Sequence, residues 1–329
     1  MVNPIKSHAI EQTSPAWAGE LQSLMNAYQQ AGGDPASFDM PEVATLAISG
    51  DQVLVSHEIP GVHLLSQPLE QGIYVSVVVD DGTLVKHPVH LCFGVLPTEG
   101  IQRIEADYQI GNGAQVQFLA HCSFPNAVKV EHRMNARIFI GRNASMSYKE
   151  EHYHGQDGGV DVYPYSEVTI EEGRQFTSNF VITRGRVGTL MINYRIEAQK
   201  DALAELVTKI FGSGDDRIRV EEAIHLNGEN AHSLTKTRIA VKDKAISEVT
   251  TITEGNAARA RGHMDCTEIV RGQALAANNP IVKVSNAQAQ VTHEAAIGTV
   301  NRRELETLMA RGLDEEEAVD LIIRAMIRS

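Results

Sequence analysis

The sequence predicts a mainly β protein, built as a long array of short strands. Three observations predict it. From Asp51 onward, apolar residues recur at every second position in one short segment after another. Turn signals such as Asp80-Asp81-Gly82, Gly111-Asn112-Gly113 and Gly141-Arg142-Asn143 separate the segments. No long amphipathic helix lies between them, which disfavours a doubly wound sheet. A sandwich, a barrel and a solenoid of stacked rungs all satisfy this pattern. Aromatic residues make up only 5 % of the chain, leaving a core of Val, Ile, Leu and Ala. Small residues late in the chain, Ala274, Ala276, Ala277, Ala287 and Ala289, suit the narrow interior of a solenoid. No crisp sequence repeat is visible.

Taken in order, Val2–Pro15 is polar and irregular. Trp17–Gln30 reads as an amphipathic helix, with Trp17, Leu21, Leu24, Met25 and Tyr28 at three- and four-residue steps and Gly32-Gly33 as its stop. Pro41–Ile48 is read as a second short helix. Strands are expected at 52–59, 72–79, 85–95, 101–110, 114–121, 127–132, 136–140, 145–154, 160–170, 177–183 and 189–197. Ala202–Phe211 fits either period. Strands resume at 217–226, 233–241, 245–253, 263–270, 281–285 and 287–293. The division is then a helical segment over 1–50, a β body over 51–298 and a helical tail over 299–329.

The tail is clearly punctuated. Asn301 with Glu304 and Asp314 with Glu317 resemble capping pairs, and Gly312 closes the first helix. The apolar stripes are Leu305, Leu308 and Met309, then Val319, Ile322, Ile323, Met326 and Ile327.

Composition excludes some functions. A net charge of −13 argues against a general nucleic-acid or anionic-membrane binder, both of which need a positive field. Three scattered cysteines make no disulfide framework and fit a reducing compartment. Met1–Gln12 lacks the apolar core of a signal peptide, and runs such as Ile73–Val79 are too short to span a bilayer. The expectation is a soluble cytoplasmic protein.

Three constellations carry chemistry. Cys266, His293 and Glu294 combine a thiol, an imidazole and a carboxylate, a set suited to iron or another borderline metal. In a straight strand His293 and Glu294 point to opposite faces. His87, His90 and Cys92, with His121-Cys122 on a neighbouring strand, form a second set. Glu150, Glu151, His152 and His154 form a third, in which the two histidines share a face as cupin metal ligands do. That set is the basis of the alternative reading, a metal-dependent cupin-like or β-helical lyase or isomerase using Glu151, His152 and His154. Nucleotide loops, a G-x-S-x-G elbow and Cys-x-x-Cys pairs are missing from the sequence.

The run GHMDCTEIVRGQALAANNPIVKV, followed by SNAQAQVTHEAAIGTVNRRELETLMARGLDEEEAVDLIIRAMI, resembles the SufB/SufD family of iron–sulfur cluster assembly scaffolds. The likeness covers roughly residues 202–329. It implies a right-handed parallel β-helix with an N-terminal helical segment and a C-terminal helical pair. It also implies a non-catalytic scaffold that carries an iron–sulfur cluster transiently. In the family a SufB-type subunit supplies a cysteine and a glutamate matching Cys266 and Glu294, and a SufD-type subunit a histidine matching His293. All three stand here on one chain, which implies a minimal, undifferentiated form acting as a homodimer through the C-terminal end of its β-helix. The tail is expected to dock a SufC-like ABC ATPase through Leu305, Leu308, Met309, Val319, Ile322, Ile323 and Met326. The chain departs from the family where Thr267 follows Cys266, where Ala274 stands near a second family cysteine, and where Thr292 precedes His293.

Overall fold

The computed structural model describes residues 18–328. Its body is a parallel β-solenoid of about eight turns. One helix, α1 (Ala18–Ala31), and a 3₁₀ turn at Pro35–Asp39 come first. The opening strands are β1 (Thr45–Ser49), β2 (Gln52–His57), β3 (Val62–Leu69) and β4 (Gly72–Val79). The middle turns are β5 (Val89–Gly94), β6 (Glu99–Ile110), β7 (Gln115–Phe124), β8 (Lys129–Ile140), β9 (Ser145–His154), β10 (Val160–Ile170), β11 (Gln175–Ile182) and β12 (Thr189–Ala198). The late turns are β13 (Leu203–Gly212), β14 (Arg217–Leu226), β15 (His232–Val241), β16 (Ile246–Gly255), β17 (Arg261–Val270), β18 (Leu275–Val284) and β19 (Gln290–Gly298). The tail holds α2 (Arg302–Met309) and α3 (Glu315–Arg328).

From β4 onward successive strands alternate between two sheets, so each strand pairs in parallel with the strand two along. The register advances by one turn each time: Gln115 lies beside Ser145, Ser145 beside Gln175, Leu203 beside His232, and His232 beside Arg261. The repeat that no residue identity betrays is thus a repeat of geometry. Its corner shows why. Gly113, Asn143, Gly173, Asp201, Asn230 and Arg259 all take positive φ, one per turn. The amides of the first five donate to a carbonyl of the next turn, as from Gly113 to Arg142, Asn143 to Glu172 and Asn230 to Ala258. Gly, Asn and Asp tolerate this conformation, so the position is constrained in shape without being constrained to one residue. Outside, side-chain ladders follow the same repeat. Asn256 donates to Asn227 at 2.9 Å and Ser285 to Asn256 at 2.9 Å.

The first turns are closed differently. β1 pairs antiparallel with β2, and β3 with β4, so each sheet begins on a hairpin. Residues 41–44 are turn and coil and Thr45–Ser49 is fully buried strand, which replaces the short helix expected there; burial between β2 and β5 decides it over local propensity. β3 is a strand the pattern reading omitted, and β13 resolves the ambiguous Ala202–Phe211 as strand. The helix expected over 17–30 is α1, Trp17 itself lying outside the described residues. Leu24, Met25 and Tyr28 are buried on the outer face of the β-solenoid together with Cys92. In the tail, the Asp314 and Glu317 side chains cap each other's amides at 2.8 and 3.1 Å. Val319, Ile323 and Ile327 of α3 pack on Ala240 and Ile269, along the outside of the larger sheet.

The interior is apolar in most turns but carries buried polar groups in two places. One lies in the middle turns, around Cys122, Glu150 and His152. The other lies late. Thr208, Thr237 and Cys266 stand in register along one inner wall, and Glu222 and Thr251 along the other. Glu222 is 1 % exposed and accepts from Thr208 Oγ1 at 2.6 Å. Its other oxygen has no partner among the described residues.

Burial raises the Glu222 carboxyl from 4.5 to about 7. The folded chain therefore disfavours the carboxylate. Full stability is present at low pH and is lost as pH rises from about 4.5 to about 7. Glu222→Gln removes this titration. Urea unfolding at a series of pH values should show the variant gaining on the wild type across that window by on the order of 3 kcal/mol. A pH-independent difference would show that Glu222 titrates normally.

Candidate functional site

β17 and β19 are adjacent parallel strands, with Met264 opposite His293, Asp265 opposite Glu294 and Cys266 opposite Ala295. Even-numbered residues of β17 point inward, so Gly262, Met264, Cys266 and Glu268 are buried. The register then turns Val291, His293 and Ala295 to that inner side and Thr292 and Glu294 to the outer side. Two contacts agree with it: Thr292 Oγ1 bonds His263 Nδ1 at 2.9 Å outside, and Asp265, beside Glu294, is ion-paired with Arg238 at 2.5 Å. β19 runs unbroken through both residues. The chain therefore brings Cys266 and His293 to one face and holds Glu294 on the other.

Cys266 is 2 % exposed and lies one strand in from the end of its sheet. Burial raises its thiol, while the nearby polar side chains of Asn278, Thr237 and Thr251 pull the other way. The resting group is a protonated thiol in a polar pocket, and loss of the proton needs a cation or a base to arrive. Glu268, two residues along the same face, is 1 % exposed; it accepts from Ser247 Oγ at 2.5 Å and from Asn278 Nδ2 at 3.3 Å. Burial raises this carboxyl as well. Glu222, Glu268 and Asn278 escaped the sequence reading. The available signal was a glutamate at an inward step of the alternation, as in Ile218, Val220, Glu222, Ile224 and in Met264, Cys266, Glu268.

β18 and β19 end the two sheets at this side as β2 and β3 end them at the other, and each has one unpaired edge; unlike β2 and β3 they belong to no hairpin. His293 and Glu294 are exposed. Leu275, Ile281, Val282, Val284 and Ile297, all on these two strands, are 39–62 % exposed. Of the small residues expected inside the solenoid, Ala274 is buried and Ala276 and Ala289 are half-buried against the core, whereas Ala277 faces outward beside Glu248 and Ala287 is exposed in the turn before β19. The tail does not close this end, since α3 lies along the outside of the sheet.

The second set separates. His90 and Cys92 share the outer face of β5, where Tyr28 Oη lies 2.7 Å from His90 Nδ1. His121 lies beside Cys92 on β7 and stacks against Tyr28 with ring centroids 4.4 Å apart. Burial, then His121, lowers His90 to about 4, and burial raises the Cys92 thiol. His87 is exposed on the preceding loop. These groups join α1 to the β-solenoid. The third set divides by strand parity. Glu150, His152 and His154 point inward, and Glu151 points outward, where His121 and then Lys149 hold it down to about 2. The inward cluster is sealed, with each member at most 4 % exposed, so no substrate path reaches it as a lyase or isomerase would need.

The tail stripes also divide. Val319 and Ile323 are buried against the chain's own sheet. Leu308, Ile322 and Met326, with Leu321, line a groove of about 570 Å³ between α2 and α3. Met309 is 42 % exposed and Leu305 is half-buried. No helix among the described residues is long and apolar enough to cross a membrane.

Comparison with known proteins bears on the whole chain. Residues 107–326 match the family described as SUF system FeS cluster assembly, SufBD core domain. An iron–sulfur cluster assembly SufBD family protein of Methanocaldococcus jannaschii is 37 % identical over 308 residues, covering 94 % of this chain and 98 % of the relative. Another, of Pyrococcus horikoshii, is 32 % identical over 308 residues and 94 % of each chain. The likeness therefore extends well into the N-terminal half, beyond the stretch whose motifs are legible by eye. The chain belongs to the SufBD family of iron–sulfur cluster assembly proteins.

Proposed function

We propose that this chain is the scaffold on which an iron–sulfur cluster is put together and from which it leaves. Cys266 takes up sulfur or iron, His293 is the imidazole ligand on the same face, and Glu294 is a carboxylate ligand. The cluster is cargo, held transiently. The observation that carries this reading is the unfinished end of the β-solenoid: two unpaired parallel edges flank a buried thiol one strand away, and Val282, Val284 and Ile297, on the inner side by register, are 39–47 % exposed there. Open edges and uncovered inward-facing apolar side chains call for a partner.

A second copy of this chain is the occupant we propose, joined end to end about a two-fold axis. Such a pairing doubles the site. It also gives Glu294 a role despite its outward direction, since at a seam it can serve the partner's thiol rather than its own. Access to Cys266 then depends on how the seam opens.

The mechanism asks three things of the chain's own residues. The polar wall of Thr237, Thr251 and Asn278 keeps the thiol solvated enough to exchange its proton. The adjacent buried carboxyl of Glu268 supplies a proton acceptor inside the same apolar shell. The seam excludes water and bulk oxidant from the growing cluster. Force to open the seam comes, in this reading, from a SufC-like ABC ATPase on the tail, whose docking surface is the groove with Leu305, Leu308, Met309, Ile322 and Met326. Val319 and Ile323 act beneath it by fixing α3 to the solenoid. Of the three segments 1–50, 51–298 and 299–329, the first then braces the body through α1 and adds β1 to it, the second is the cluster-bearing body and the third the docking tail of a protein working in the cytoplasm.

Three measurements test these points. Anaerobic reconstitution with ferrous iron and sulfide should lose most of its visible cluster absorption in Cys266→Ala; an unchanged yield removes Cys266 from the mechanism. In sedimentation, the wild type should run as a dimer and Val284→Lys/Ile297→Lys as a monomer, whereas a monomeric wild type ends the end-to-end pairing. Ile322→Glu should abolish co-purification with a co-expressed ABC ATPase and leave thermal stability nearly unchanged, because Ile322 faces the groove. Retained co-purification moves the docking surface elsewhere.

A further inference from the structure

The buried cluster in the middle turns takes no part in the proposed cluster site, yet its geometry is specific. Cys122 on β7 and His152 on β9 are register neighbours, and Glu150 is two residues before His152 on the same inner face. Their ligand atoms lie within 4.8 Å of one another. Cys122 Sγ is 3.7 Å from Glu150 Oε1, which is 2.7 Å from His152 Nε2. His132, from β8 in the other sheet, places Nε2 3.9 Å from the same sulfur. Exposure of the four is 0, 3, 4 and 1 %. Phe124 and Phe180 pack on the imidazoles, with centroids 5.1 Å from His132 and 4.8 Å from His152, and keep the surroundings dry.

The proton positions can be followed from the outside in. His154 Nδ1 lies 3.0 Å from the carbonyl oxygen of Arg186, so that nitrogen carries the proton and donates. With that proton committed to the carbonyl, the 3.2 Å contact of His154 Nε2 with His152 Nδ1 has His152 Nδ1 as its donor. His152 Nε2 and Glu150 Oε1, 2.7 Å apart, share one proton in a hydrogen bond, and Glu150 Oε1 is also within 3.7 Å of Cys122 Sγ.

We propose that this cluster is a closed, structural site for one divalent transition-metal ion of the zinc or ferrous class, bound by Cys122, Glu150, His152 and His132. The donors are one sulfur, two imidazole nitrogens and one carboxylate oxygen, a set that suits these ions and not calcium or magnesium. Thiolate and carboxylate together balance the ion's two charges, so the filled site is neutral inside an apolar shell. On binding, Cys122 gives up its proton, and the proton between Glu150 and His152 leaves as well. Donor atoms around a tetrahedral ion at bond lengths of about 2.0–2.3 Å stand roughly 3.3–3.8 Å apart. The 3.7 Å contact of Cys122 with Glu150 already sits at that spacing. The Glu150–His152 contact has to open by less than about 1 Å. His132, 3.9 Å from the sulfur but outside the set within 4.8 Å, has to swing in as the fourth ligand. His154 is a positioning residue: its contact fixes the tautomer of His152, as an outer partner does for a ligating imidazole. All four protein positions are filled and none faces solvent, which is the mark of a structural site, here tying both sheets together across three consecutive strands.

The site is distinct from Cys266, so the test runs on the full chain carrying Cys266→Ser, expressed in medium supplied with cobalt(II). Elemental analysis should find about one cobalt per chain. The optical spectrum should show intense tetrahedral ligand-field bands and a thiolate-to-cobalt charge-transfer band. X-ray absorption should find one sulfur among the first neighbours. Adding Cys122→Ser should remove the charge-transfer band, and adding His154→Ala should lower cobalt affinity about 10–100-fold. Folded protein without cobalt overturns the proposal, as does cobalt with no sulfur neighbour or a spectrum unchanged by Cys122→Ser. Should the Cys122→Ser chain fail to fold, the X-ray absorption of the Cys266→Ser protein decides alone. Failure of cluster reconstitution at Cys266 leaves this result untouched.

Discussion

Backbone pairing from one turn to the next is the constraint on which the rest of this molecule depends. A parallel β-solenoid satisfies each strand's amides and carbonyls with the turn before and the turn after, so a problem remains only at its two ends. The first end is turned back on itself by the antiparallel hairpins β1–β2 and β3–β4, which leave β2 and β3 as the edge strands there. The last end has no such hairpin, and β18 and β19 stop as parallel strands with edges unpaired. The proposed assembly site lies at that second end.

The narrow interior imposes the second condition. Two inner walls face each other, so an inward polar residue has to find its partner across or along the stack. The late polar wall around Cys266 does this in part: Thr208 bonds Glu222, and Ser247 and Asn278 bond Glu268, while Thr237 Oγ1, Thr251 Oγ1, Asn278 Oδ1 and one oxygen of Glu222 have no partner among the described residues. The middle cluster does it with a carboxylate against two imidazoles and a thiol. In both places the fold accepts an unfavourable burial, and such burial is retained where chemistry uses it. Where no such demand exists, as along β4 through Ile73, Val75, Val77 and Val79, the inner wall is filled with aliphatic side chains.

The helices act as braces on the outside. α1 covers β5, β7 and β9 through Tyr28, whose hydroxyl meets His90 and whose ring meets His121. α3 does the same late in the chain through Val319, Ile323 and Ile327. Each brace leaves a remainder. For the tail it is the groove between α2 and α3, apolar and open, on a helix already fixed to the solenoid. That helix packs on Ala240 and Ile269 of β15 and β17, the strands that carry Thr237 and Cys266.

The sequence by itself determined the strand array, the helical ends, their caps and the family. Alternation, turn chemistry and capping are local, and local signals survive in any one stretch, as at Asp314 and Glu317. It also determined that His293 and Glu294 diverge, since strand parity is a local property. Only the tertiary structure decided which parallel turns stack, because the repeat lies in positive-φ corners filled variously by Gly, Asn, Asp and Arg. Tertiary structure alone buried Thr45–Ser49 as strand, gathered Cys122, His132, Glu150 and His152 from three strands, and turned Val319 and Ile323 inward while leaving Ile322 in the groove. Those outcomes depend on contacts between residues one turn or more apart, and such separations leave no mark on the order of neighbours in the chain.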